Sequence, residues 1–183
     1  MSKLIVCITG MPGSGKSTIV SALKAMGLET LNLGDGVRAE AKRRNLDPSG
    51  DNLGKLMLEL REKNGPGAIA ELLTEQLKNS QSKVIMIDGV RSIAEIEVLK
   101  NIGSVKLLSI EASADTRYKF LSARGRSDDP TTRKKFEERD NREIDVGLGK
   151  SIAIADETIS ISNITLDELI ELAHKIIVKW INN

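Results

Sequence analysis

The chain has 183 residues, with 27 Lys and Arg against 26 Asp and Glu. With a net charge of +1, no global field draws it to nucleic acid or a membrane surface, and any such attraction must come from a local patch. The length predicts a single domain over residues 1–183 with a full core. The one cysteine, Cys7, excludes an internal disulfide framework and fits a reducing, cytoplasmic setting. No leader-like segment precedes the first predicted strand, and no apolar run approaches the ~18 residues of a membrane span. Aromatic residues are limited to Trp180, Tyr118, Phe120 and Phe136, and the basic residues are interleaved with acids. Nucleic acid is therefore not an expected partner.

Residues 3–9 read as a buried strand, and residues 17–26 carry apolar positions at helical spacing. Between them, Gly10-Met11-Pro12-Gly13-Ser14-Gly15-Lys16-Ser17 matches the P-loop pattern G-x-x-x-x-G-K-[ST] in full. Gly10, Gly13 and Gly15 allow successive backbone NH groups to turn inward onto an anion at a helix N-terminus. Lys16 reaches for the β- and γ-phosphates and Ser17 for Mg²⁺, so Gly10 to Thr18 is the expected ATP·Mg²⁺ site. Gly27 stops the helix, residues 29–33 form a short second strand ending at Gly34-Asp35, and residues 37–44 are helical. A turn at 47–50 precedes a helix over 52–63, with Leu53, Leu56, Met57 and Leu60 on one face. Gly65-Pro66-Gly67 breaks it before a helix over 68–77. This excess of helix before the third strand predicts a flap over the site, about residues 35–80.

Residues 83–88 form the third strand, followed by helix 93–102, strand 105–111 and helix 115–124. A polar loop at 124–130 leads into a charged helix over 131–145, a short helix over 150–155, strand 157–161 and a closing amphipathic helix over Leu166–Ile181. The alternation predicts an α/β fold, a doubly wound five-stranded parallel sheet whose ligands bind at the carboxyl ends of the strands.

Each of the first three strand ends carries polar residues that such a sheet brings to one crevice. Asp88, after four apolar residues, has the position of a Walker-B acid on Mg²⁺; the alternative is a cap for the helix near Ser92. Gly34, Asp35 and Arg38, with Gly89 and Arg91, form the candidate acceptor site, Arg38 and Arg91 clamping an anionic group. Both are otherwise read as solvated surface arginines. Arg117, Arg124, Arg126, Arg133, Arg139 and Arg142 cluster with Lys119, Lys134 and Lys135 after the fourth strand. Guanidinium groups suit the charge that spreads over a transferring phosphoryl group. Arg124 and Arg126 flank Gly125, a hinge for a short arginine lid over about 124–135, whereas Lys134, Lys135, Glu137 and Glu138 read as i,i+4 surface pairs. His174 and Cys7 read as structural.

These motifs resemble nucleoside-monophosphate kinases, adenylate kinase in particular. Gly34-Asp35-Gly36-Val37-Arg38 resembles that family's G-D-x-x-R segment. Asp88-Gly89-Val90-Arg91 resembles its second phosphate-gripping segment. Arg124, Arg126-Ser127-Asp128-Asp129 and Arg139 resemble the lid arginines and their acidic partners. The run from Asn52-Leu53-Gly54-Lys55 through Gly65-Pro66-Gly67 to Arg139-Asp140 is closer still to an archaeal family of adenylate-kinase-related P-loop proteins. Two positions depart from the adenylate-kinase pattern. Only Gly125 separates Arg124 from Arg126, so the large lid is missing, and Phe120 stands where an Arg contacts the donor adenine. Residues 155–166 are similar to the tail of dephospho-coenzyme A kinases, which phosphorylate a hydroxyl. The resemblance implies ATP- and Mg²⁺-dependent transfer to a nucleotide acceptor, AMP foremost, with Lys16, Arg124, Arg126, Arg139 and Asp35 as catalytic residues. A hydroxyl-directed kinase and an ATP-dependent switch are the alternatives. Asp35 is the base in the first of these and a ligand to Mg²⁺-bound water in the AMP reading.

Overall fold

The computed structural model describes residues 3–126 and 129–182. Five strands form one parallel sheet in the order β2-β3-β1-β4-β5: β1 (Lys3–Thr9), β2 (Glu29–Asn32), β3 (Val84–Asp88), β4 (Gly103–Glu111) and β5 (Glu157–Ser160). The helices are α1 (Lys16–Ala25), α2 (Leu33–Arg43), α3 (Gly50–Asn64), α4 (Ala68–Glu71), α5 (Thr74–Asn79), α6 (Ile93–Lys100), α7 (Ala114–Arg124), α8 (Arg133–Val146), α9 (Leu148–Ala153) and α10 (Leu166–Ile181). Central β1 pairs with β3 and β4, setting Ile5 beside both Ile85 and Val105.

Period-2 alternation divides β1 between two cores. Ile5 and Cys7 face a core built with Ile85, Ile87 and Leu107 and helices α2–α6. Val6 and Ile8 face the other, where Ile19 and Leu23 of α1 meet Leu169, Ala173, Ile177 and Trp180 of α10. Those α10 residues recur at i, i+4, i+8 and i+11, the stripe that makes this helix amphipathic. Helices thus cover both faces, as the continuous apolar strands require. No helix among the described residues is long and apolar enough to cross a membrane.

Two local expectations are corrected. The second strand ends at Asn32, and Gly34, Asp35 and Gly36 lie in the first turn of α2, because the Asn32 side chain accepts from Gly34 N at 2.7 Å and starts the helix four residues early. The helix expected over 68–77 is two, α4 and α5, separated where Leu73 N bonds back only three residues to Ala70 O. Helices α2–α5 fill the connection from β2 to β3; α2 packs on α3, and α4 on α6.

Glu95 joins this helical insertion to the sheet. Its side chain is fully buried at the start of α6, where Oε2 accepts from Arg91 N (2.7 Å) and Ser92 N (3.2 Å) and Oε1 accepts from Arg61 Nη2 of α3 (2.8 Å). Ser92 accepts in turn from Glu95 N, which completes a capping box. Glu95→Ala would strand a buried guanidinium and two backbone donors, so we expect it to cost about 3 kcal/mol or more of stability. The shift in the urea unfolding midpoint measures this, and a loss below about 1 kcal/mol would mean that the pair carries no more than a surface one.

Candidate active site

The P-loop is shaped by what presses on it. Gly10 and Gly13 have φ of +139° and +82°. A Cβ at Gly10 would lie 2.3 Å from Ile110 O at the end of β4, and one at Gly13 would lie 2.7 Å from Arg117 O of α7. Neither position admits a side chain. Lys16 Nζ donates to Gly10 O (2.6 Å) and Met11 O (2.9 Å), so the ammonium lies across the mouth of the loop at the start of α1. Desolvation, opposed by the charge of Asp88, lowers its pKa from 10.5 to about 8. Ser14 Oγ is buried without a partner.

Asp88 closes β3 beside this loop, and it does not cap α6, since Ser92 does. Its Oδ2 accepts from Asn32 Nδ2 at 2.8 Å, while Oδ1 is buried without a partner. Burial raises its pKa against the pull of Lys16 and Arg91. An orphaned carboxylate oxygen with Ser17 on the same cavity wall is a hard-oxygen donor pair. Among the described residues no cluster of three or more His, Cys, Asp or Glu could cage a metal. So small a donor set fits Mg²⁺, which takes one or two protein oxygens and completes its shell with phosphate and water.

Two cavities meet here. The first, about 540 Å³, is lined by Gly10, Pro12, Gly13, Gly15, Lys16, Ser17 and Thr18, by Asp88 and Gly89, and by Arg124 and Arg126. It runs outward between Phe120 and the Ile161–Leu169 region. The second, about 400 Å³, lies between α2 and α3 on one side and α8 on the other. Gly34, Arg38, Arg91, Arg139 and Glu143 line both. The predicted acceptor arginines therefore stand where the cavities join. Met11, Ser14 and Asp35 line neither cavity. Because α2 begins at Leu33, Asp35 falls on the outer side of its first turn, exposed and paired with Arg38 at 2.5 Å.

Arg91 donates from Nε to Glu143 at 2.6 Å; this carboxylate raises the guanidinium pKa, while Arg91 and Arg139 hold Glu143 low against its desolvation. Arg124 bonds both oxygens of Asp129, Arg126 N donates to the same carboxylate at 2.8 Å, and Arg139 lies 3.7 Å from it. Desolvation works to raise Asp129, but these donors prevail and lower its pKa. Ser127 and Asp128 of the predicted acidic segment lie outside the described residues. Arg117, expected in the charge cluster at the phosphates, is instead a buried strut. It forms a two-pronged pair with Asp140 (2.9 and 2.5 Å), donates to Pro12 O (3.2 Å) and lies 4.9 Å from the Phe136 ring centre. Sequence reasoning did not single out Glu143, Asn32, Glu95 or Arg61. Only Glu95 left a readable signal, as the fourth residue of Ser92-Ile93-Ala94-Glu95, a capping-box pattern.

A Lys16 pKa near 8 makes binding of a polyphosphate proton-linked. Phosphate favours the ammonium form, so above pH 8 the lysine is mostly neutral before binding and charged after it. We expect proton uptake on ATP·Mg²⁺ binding at pH 9, approaching one per site and much smaller at pH 7, from calorimetry in buffers of different ionisation enthalpy. Equal uptake in Lys16→Ala would assign the proton elsewhere.

Residues 9–137 match the family model described as an AAA domain. A UPF0200 protein of Hyperthermus butylicus is 38% identical over 166 residues, covering 91% of this chain and 89% of that one. A UPF0200 protein of Pyrococcus abyssi is 38% identical over 161 residues, covering 85% and 86%. Among solved structures, TT1252 from Thermus thermophilus superposes with a TM-score of 0.73 at 18% identity over 98% of both chains. Shikimate kinase from Acinetobacter baumannii, in complex with shikimate, gives 0.60 at 16% identity over 98% of this chain and 94% of that one. At such identities the likeness is one of fold. By sequence, the chain belongs to the UPF0200 family and carries an AAA-type P-loop domain.

Proposed function

We propose that the chain is a nucleotide kinase that moves the γ-phosphoryl group of ATP to a nucleotide acceptor, AMP or another nucleoside monophosphate. The observation that carries this reading is the pair of cavities joined at Arg38, Arg91 and Arg139. A P-loop cavity alone would suit hydrolysis or switching; a second cavity entered through arginines suits a second, anionic reactant.

In this reading the backbone NH groups of Gly10 to Thr18 and the ammonium of Lys16 hold the donor phosphates. Ser17 and Asp88 would hold Mg²⁺, which when bound neutralises charge on the phosphate oxygens. Arg38 and Arg91 orient the acceptor anion, with Gly34 and Gly89 leaving room beside it. Arg124, Arg126 and Arg139 stabilise the transferring group, and Asp129 is the resting partner that the guanidinium groups of Arg124 and Arg139 exchange for its oxygens. Residues 35–80 act as flap and 124–135 as lid in one kinase domain working in the cytoplasm, and closure excludes the water that competes as acceptor. An ionised phosphate needs no general base, and Asp35 stands apart from both cavities, which favours a phosphate over a hydroxyl acceptor. Asp35 then acts through Arg38, holding its guanidinium.

The test is transfer of labelled γ-phosphate from ATP·Mg²⁺ to AMP, CMP, UMP, GMP, dephospho-coenzyme A or no acceptor. Labelled ADP from AMP is expected. Lys16→Ala should abolish transfer, and Arg91→Ala should raise the acceptor KM roughly 30-fold, the worth of a charge-assisted hydrogen bond, with ATP binding retained. A label appearing only in coenzyme A, or only as free phosphate, would overturn the AMP reading.

A further inference from the structure

The acceptor cavity continues past the wall it shares with the P-loop cavity. Lys135 and Arg142 line that outer part from α8, seven residues apart on the face that also carries Arg139. Arg38, Arg61, Arg91 and Arg139, the other arginines of this cavity, each have a carboxylate partner. The side chains of Arg142 and Lys135 have no ion pair or hydrogen bond among the described residues. The acids of this part are otherwise engaged: Glu138 faces Lys134 at 4.0 Å, and Asp51 sits in the first turn of α3, where the helix dipole favours it.

Gly54 stands opposite Arg142 in the interior of α3. A mid-helix glycine costs about 1 kcal/mol relative to alanine, and Gly54 has no positive φ to justify it. What it supplies is space, since a Cβ there would lie 3.2 Å from Arg142 Nη1. On the same α3 face, two turns on, Arg61 is 90% buried in the cavity floor, with Nη2 on Glu95 and with Nε and Nη1 unpartnered. Val37, Leu53, Met57 and Val146 supply apolar wall between the two cationic ends.

We propose that Lys135 and Arg142 form a second anion subsite in the acceptor cavity, so that the preferred acceptor carries a second phosphate-class group besides the one that reacts. The proposal rests on the reading of this cavity as the acceptor site. A nucleoside monophosphate fills only the inner end, at Arg38 and Arg91. A nucleotide with two separate phosphate groups, its sugar or base against the apolar wall, fills both. The second anion has two chemical sources, the extra phosphate of a nucleoside bisphosphate or the next phosphodiester of a 5′-phosphorylated oligonucleotide.

Calorimetry on the whole chain saturated with a non-transferable ATP analogue and Mg²⁺ separates these, with AMP, adenosine 3′,5′-bisphosphate and a 5′-phosphorylated diadenylate as ligands. At least one ligand with two phosphate groups is expected to bind roughly 30-fold tighter than AMP, the worth of one charge-assisted hydrogen bond; which one it is identifies the source. Arg142→Ala and Lys135→Ala should each remove most of that margin and leave AMP affinity unchanged, with Arg142→Lys restoring part of it. Gly54→Ala should also reduce the margin while holding or raising the melting temperature, which unfolding cannot mimic. Absence of a margin, or a margin that survives in Arg142→Ala, overturns the second subsite alone. Failure of all three ligands to bind, with the ATP analogue bound, overturns the acceptor reading as well.

Discussion

The crevice depends on the pairing of Arg91 with Glu143. Both side chains lie largely out of water at the join of the two cavities, and an uncompensated charge there would cost several kcal/mol. The carboxylate comes from α8 and the guanidinium from the loop after β3, so the bond fixes a peripheral helix against a central strand. It also offsets one positive charge in a crevice whose lining carries nine Lys and Arg against five Asp and Glu. The arginine keeps further donors on the cavity side, so it can hold an anion without losing its carboxylate.

A second bracket sits one turn earlier on α8. Asp140 takes both prongs of Arg117, whose guanidinium also reaches Pro12 O of the P-loop and packs against Phe136. The Phe136 ring meets Tyr118 edge-on at 5.5 Å, and Arg133 stacks beside both. Arg139 lies next to Asp140 in sequence and one turn before Glu143, so its base is held by the same two anchors. Arg117 thus links the P-loop to the helix that bears Arg139. Tyr118 of α7 and Phe136 of α8 serve this joint.

The sequence was most legible where chemistry is written in adjacent residues. The P-loop pattern, the apolar run ending in Asp88 and the amphipathic spacing of α10 each need only a short window, and the sheet followed from their alternation. The start of α2 was misread because Asn32 closes a strand and caps a helix at once, and β-propensity in residues 29–33 masked the cap. That one shift moved Asp35 out of the crevice. Glu143 and Arg61 were invisible for another reason. Each matters through a partner tens of residues away, 52 for Arg91 and Glu143 and 34 for Arg61 and Glu95, and a charged helix gives no sign of which acid turns inward.

The two ends of the crevice work by different physics. The outer donor cavity is bordered by Phe120 and Leu166, each about half exposed, with Ile161, Ile164 and Leu169 behind them. Such a wall holds a flat ring by apolar area, which sets little about the ring's edge. In the proposed reaction the donor's register therefore comes from its phosphates on the P-loop. The acceptor cavity is built the other way, with guanidinium groups at its entrance, floor and mouth, and fixed charges punish a ligand that fails to match them. In that proposed reaction, discrimination would be concentrated on the acceptor. In that reading the excess of helix between β2 and β3 has a use, because α3, tied to Glu95 through Arg61, gives the second cavity one of its walls.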